Sequence, residues 1–139
     1  MSEKLTIKLT DKQAEGLREA ARSLRVRPSE LAETYVEENL RMRRFPLIDF
    51  RDSVEGQLAY VWGTGLKVWM TVWTLRRGYN NDVQAMADAL ECRPGEIAAA
   101  VEYAEAYPEE IEPLIADQES MNPQKLRELL PNLVIAETE

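Results

Sequence analysis

Lys4, Thr6 and Lys8 alternate with Leu5, Ile7 and Leu9, a spacing with a definite chemical consequence. Side chains two apart leave a strand on the same side. Two ammonium groups and a hydroxyl would line one face, and three aliphatic groups the other. The polar face can donate hydrogen bonds, while the apolar face and the unpaired backbone edge need cover. Antiparallel pairing with a second copy of the strand meets both needs. It buries Leu5, Ile7 and Leu9 as a dimer core and presents Lys4, Thr6 and Lys8 twice, as a narrow polar ribbon. A ribbon of that width fits the major groove of DNA.

Other reactive groupings are sparse. The chain has no histidine, which removes histidine-dependent dyads and triads and most zinc sites. Its single cysteine, Cys92, allows no intramolecular disulfide and fits a reducing compartment. The carboxylate pairs Asp49 and Asp52, and Glu109 and Glu110, have no accompanying nucleophile, phosphate loop or ligand set, and solvated surface acids account for them. No catalytic residue, metal site or cofactor is therefore expected. Apolar stretches are broken well short of the roughly 20 residues that a membrane span needs, and the first residues lack the apolar core of a signal peptide. A cytoplasmic protein without membrane association is the expectation.

The 139 residues suffice for one ordinary domain or two small ones, and 45% hydrophobic residues fit a folded protein. The formal net charge of -8 is unevenly spread. Residues 1–44 hold ten Lys/Arg against eight Asp/Glu, a net of +2, and residues 45–139 hold seven against seventeen, a net of -10. Because potential follows local charge, the two halves should have different partners.

Thr10 stands where a helix N-cap belongs, and Gln13 three residues on completes a capping box. The predicted first helix, 11–24, has one apolar face made by Ala14, Leu17, Ala20, Ala21 and Leu24. Pro28 opens a second helix, with Leu31, Ala32, Tyr35, Val36 and Leu40 as its apolar positions and Arg41, Arg43 and Arg44 complementing its C-terminal dipole. A strand and two helices in about forty residues bury too little surface to stand alone, and dimerisation supplies the missing core. Residues 3–42, LTIKLTDKQAEGLREAARSLRVRPSELAETYVEENL at their centre, resemble the Arc/MetJ/CopG family of ribbon-helix-helix repressors. The resemblance implies that Lys4, Thr6 and Lys8 read base edges, Lys8 foremost. It also implies that Arg27 and Ser29, helped by Arg25, hold a DNA phosphate at the start of the second helix. Arg27 replaces the serine, threonine or asparagine cap usual in that family, which shifts the anchor toward guanidinium charge. A strand used only for dimerisation is the alternative.

From Phe45-Pro46 the periodicity changes, marking a boundary. Two short strands are predicted near 47–50 and 58–61, then a Gly63-Thr64-Gly65 turn and an apolar helix over 66–77 that Gly78 stops. Trp62, Trp69 and Trp73 lie among Val, Leu and Met and should fill a core. Asn80 or Asn81 should cap a helix over 82–90, and Pro94 should open another to about 107. Three helices with a short turn between the last two have a helix-turn-helix outline. Glu96, Glu102 and Glu105 on the last of them would repel phosphates. Residues 45–115 resemble the domain-of-unknown-function family 433, through the Pro46-Leu47-Ile48 opening, the Gly63-Thr64 turn into Leu66-Lys67-Val68-Trp69, and the closing YAEAYPEEI. That resemblance implies an antitoxin component beside a nuclease-like toxin. Gly65 stands where the family commonly has arginine, so no role of that arginine carries over.

Residues 116–139 form a mixed tail: Pro123 should start a brief helix with Leu126, Leu129 and Leu130, and Leu133-Val134-Ile135 follows Pro131. Such an apolar strip either folds back or lies on a partner. Leu126, Arg127, Leu130, Leu133 and Ile135 are the candidate toxin-binding residues. The fold class expected is mainly α: a ribbon-helix-helix module, then a small three-helix domain with a β-hairpin. The expected function is a type II antitoxin that binds operator DNA as a homodimer or higher even oligomer, represses its own promoter and neutralises a PIN-type toxin. A free-standing repressor and a dimeric adaptor that ignores DNA are the alternatives.

Overall fold

The computed structural model describes residues 2–53 and 56–121. It is mainly helical, with a small two-stranded antiparallel hairpin. Its backbone contacts divide the chain between Arg44 and Phe45 into two compact units. No helix among the described residues is long and apolar enough to cross a membrane.

The first unit holds α1 (Asp11–Leu24) and α2 (Pro28–Arg44). Thr10 and Gln13 form the expected capping box: the Gln13 amide donates to Thr10 Oγ1 (3.1 Å) and the Thr10 amide to Gln13 Oε1 (3.0 Å). On α1 the residues withdrawn from solvent are Ala14, Leu17, Ala20, Ala21 and Leu24, the face that the three- and four-residue steps mark out. The helix ends on Arg25 in the left-handed region (φ 57°, ψ 41°), whose amide donates back to the carbonyls of Ala21 and Arg22.

α2 departs from expectation. Leu31 is buried and Ala32 partly so, but Tyr35, Val36 and Leu40 are 42%, 56% and 59% exposed. One helix of fourteen residues covers only the first turns of one of seventeen, so the apolar stripe outruns its intramolecular partner. Residues 2–10 likewise form neither strand nor helix in the single chain, and each is exposed. A strand exists only against a second hydrogen-bonding edge, and residues 2–10 pair with no strand among the described residues.

The second unit starts with β1 (Ile48–Ser53) and β2 (Gly56–Val61), paired antiparallel with Ile48 opposite Val61 and Phe50 opposite Ala59. The pairing runs further than the predicted strands and includes Gly56. α3 (Val68–Gly78), α4 (Val83–Leu90), α5 (Pro94–Ala106) and α6 (Pro108–Ser120) follow. The inward hairpin residues Ile48, Ala59 and Val61 pack with Val68, Trp69 and Val72 of α3, Tyr103 and Ala104 of α5, and Ile111 and Ile115 of α6. A second cluster, Leu75, Met86, Ala87 and Ile97, joins α4 to α5 and to the later part of α3. The buried Thr71 hydroxyl is satisfied by donating to the Lys67 carbonyl (2.9 Å).

Three corrections follow. The unit has four helices, not three: Pro108, which breaks the α5 pattern, takes the first position of α6, where its missing amide is harmless. α6 runs on through Ile115, whose side chain is buried. The cap of α4 is Asp82, whose Oδ1 accepts from the Ala85 amide (3.0 Å). Asn80 and Asn81 instead adopt left-handed φ of 49° and 63°, which asparagine tolerates better than most residues. Lastly, Trp69 is in the core and Trp73 packs against it, but Trp62 is 61% exposed. It sits on the turn after β2, where Gly63 (φ 74°) and a hydrogen bond from Thr64 Oγ1 to the Val61 carbonyl (2.7 Å) fix the backbone.

Candidate nucleic-acid interface

The candidate base-reading residues Lys4, Thr6 and Lys8 are exposed, in the segment that leads into the Thr10 cap. Between them Leu5, Ile7 and Leu9 are 78%, 70% and 41% exposed. Large apolar side chains this open to water, Leu5, Ile7 and Leu9 in one alternating segment and Tyr35, Val36 and Leu40 on α2, are of the kind that marks a protein contact where they adjoin. The polar set is thus open to solvent, and the apolar set lacks the cover that a ribbon would give it.

The candidate phosphate anchor is gathered at the α1–α2 turn, with Arg25, Arg27 and Ser29 all exposed. Its electrostatics differ from the sequence reading through one residue. Glu30, in the first turn of α2, accepts from Arg27 Nε (2.8 Å) and from its Nη2. The carboxylate takes the planar fork that a phosphate oxygen would otherwise take. This hydrogen bond holds the Glu30 carboxyl below its ordinary pKa and raises that of Arg27. A depressed carboxyl pKa means that the pair supports the fold above the usual carboxylate range and is lost as pH falls through the folded value. Opposite charges three apart at a helix start were the available signal.

A backbone role and a phosphate-binding role for Arg25 can be separated by experiment. Its left-handed backbone is costly for a residue with a Cβ, and glycine is the favoured occupant. Arg25→Gly should therefore stabilise the first unit by about 1 kcal/mol in thermal melts followed by circular dichroism. If Arg25 holds a phosphate, the same variant should bind DNA more weakly, with a salt dependence shallower by about one counterion. Stability and affinity moving together would assign Arg25 a backbone role only.

In the second unit the carboxylate pairs do not converge. Asp49 and Asp52 are three apart on β1 and so leave opposite faces; Asp49 Oδ2 accepts from Arg51 (3.4 Å), whose guanidinium lies over the Tyr60 ring. Glu110 accepts from the Tyr103 hydroxyl (2.5 Å). Among the described residues no three His, Cys, Asp or Glu side chains gather as a metal site. Burial pushes the Cys92 thiol pKa up, away from nucleophile chemistry. On α5, Glu102 and Glu105 are exposed and Glu96 half-buried. The candidate toxin-binding residues Leu126, Arg127, Leu130, Leu133 and Ile135 lie outside the described residues.

No family model, curated protein or solved structure matches the chain.

Proposed function

We propose that the chain is a dimeric, DNA-binding antitoxin that represses its own promoter and occludes a nuclease-like toxin of the PIN type. The observation that carries the DNA-binding half is the alternating Lys4 to Leu9 segment, uncovered on its apolar side and leading directly into a capped helix. The unit that contains it has a net charge of +2 and the other of -10, which supports DNA for the first and a basic protein for the second. In this reading two copies pair through Leu5, Ile7 and Leu9, with Tyr35, Val36 and Leu40 of each α2 also covered. Lys4, Thr6 and Lys8 enter the major groove, and Arg25, Arg27 and Ser29 meet the backbone. Glu30 must then yield Arg27, or share it, when a phosphate arrives. The acidic unit and the tail residues 126, 127, 130, 133 and 135 form the toxin-binding half.

A gel shift with the DNA upstream of the gene, repeated across salt concentrations, tests the first half. Binding should weaken steeply with salt, as phosphate contacts require. Lys8→Ala should lower operator affinity about tenfold to a hundredfold, relax sequence preference and leave the dimer intact. Equal loss on every DNA would move Lys8 from base to phosphate. Absence of any shift would leave a dimeric adaptor. Co-purification of the product of the adjacent gene tests the second half; a chain that binds its promoter and retains no neighbour is a free-standing repressor.

A further inference from the structure

The hairpin of the second unit has another face. Ile48 and Val61 oppose each other and belong to the core, so the residues next to them leave the other side of the ladder. There Asp49 stands opposite Tyr60. The Trp62 amide donates to the Leu47 carbonyl (2.6 Å), which adds one more pair at the open end of the hairpin. Leu47 and Trp62 are 40% and 61% exposed, and side chains directly opposite on an antiparallel pair lie about 5 Å apart. Beside them the Arg51 guanidinium lies over the Tyr60 ring, 4.6 Å from its centroid. Tryptophan, tyrosine and arginine are the residue types that dominate the energetics of protein interfaces.

The backbone that carries Trp62 is fixed on both sides. The Thr64 hydroxyl donates to the Val61 carbonyl (2.7 Å) and accepts from the Leu66 amide (3.0 Å), and the Val61 amide donates to the Leu66 carbonyl (2.9 Å). An anchor held this way, with two rotatable side-chain bonds, loses little entropy on binding. Charge then selects the occupant. Arg51, the cation on this face, is already matched by Asp49 (3.4 Å), and residues 45–139 have a net charge of -10. A nucleic acid stacked on the rings would be repelled, and so would the same face of a second copy. A protein surface with an apolar pocket and a basic rim is complementary in both respects.

We propose that this hairpin face, with Trp62 as anchor and Leu47 beside it, docks a basic protein partner, the indole entering an apolar pocket on that partner. The proposal rests on the antitoxin reading and narrows it, because it assigns the toxin contact of the acidic unit to one face and one residue.

Calorimetric titration of the full chain with the purified product of the adjacent gene tests this. Trp62→Ala should weaken binding at least about thirtyfold, as loss of a hot-spot residue does, and leave promoter affinity in a gel shift unchanged. Leu90→Ala, which trims a leucine of α4 that is 42% exposed in the same unit, should weaken it less than about threefold. Equal affinity for Trp62→Ala and the wild type, or an equal loss for Leu90→Ala, overturns the proposal and leaves the antitoxin reading standing. A wild-type chain that does not bind the product overturns both. Fluorine NMR with 5-fluorotryptophan in this chain alone gives a second measurement that keeps the side chain. The product should shift the Trp62 resonance, assigned by its loss in Trp62→Phe, and leave those of Trp69 and Trp73 in place. An unmoved Trp62 signal overturns the proposal, as does a shift produced by single-stranded DNA, or by raising the concentration of the chain alone, and not by the product.

Discussion

Ile7→Glu is expected to leave the chain monomeric at micromolar concentration and to abolish operator binding. Within a single chain this position is 70% exposed, so the substitution removes almost nothing from the intramolecular fold. Across a two-fold ribbon it acts twice. Each copy loses the burial of an isoleucine, about 1.5–3 kcal/mol, and gains a carboxylate without a partner, which costs several kcal/mol more. The combined penalty exceeds about 5 kcal/mol per dimer, or more than a thousandfold in its dissociation constant. Base reading needs two adjacent strands, so DNA affinity should fall with it. Sedimentation and a gel shift read the two losses separately. A chain that stays dimeric with glutamate at this position would show that the ribbon is not the interface, and would turn attention to Tyr35, Val36 and Leu40.

Tyr103→Ala should cost the second unit about 3–5 kcal/mol. The residue is fully buried where three elements meet. Phe45 and Phe50 approach its ring edge-on at centroid distances of 5.6 and 6.1 Å, and Tyr107 lies at 4.8 Å. Removing the ring opens a cavity that α5 and the hairpin cannot both collapse into. Tyr103→Phe separates ring from hydroxyl. Glu110 is exposed and can rehydrate, so losing its hydrogen bond should cost only about 1 kcal/mol. All three tryptophans belong to this unit, and urea unfolding followed by their fluorescence therefore reports on it alone. A loss for alanine no larger than that for phenylalanine would move the centre of this core elsewhere.

The elements were legible where local rules decide them. The apolar steps of α1, the Thr10 and Gln13 box and the proline starts of α2 and α5 each depend on residues within one or two turns. What the sequence hid was set by distance or by competition. Tyr35, Val36 and Leu40 have the same periodicity as Leu31, yet of these only Leu31 is buried; pattern marks a face and says nothing about what covers it. Trp62 shares an apolar stretch with Trp69 and Trp73, but the Gly63 turn carries it outward. Asp82 won the cap from Asn80 and Asn81 because both asparagines are spent on the reversal before α4. In the candidate interface, residue types were readable and their pairing was not: Glu30 passes as an ordinary first-turn acid until its bond to Arg27 is seen.

The uncovered segment 2–10, which forms neither helix nor strand in the single chain, also has a kinetic meaning. A strand that finds its edge only on another molecule makes ordering of the first unit a second-order event, in the reading proposed here, whereas the second unit closes its core within one chain. On refolding from denaturant, tryptophan fluorescence should recover at a rate indifferent to dilution. Recovery of the first unit should slow as the chain is diluted, its half-time rising in inverse proportion to chain concentration, so that freshly made protein would have an ordered acidic half before it could grip DNA.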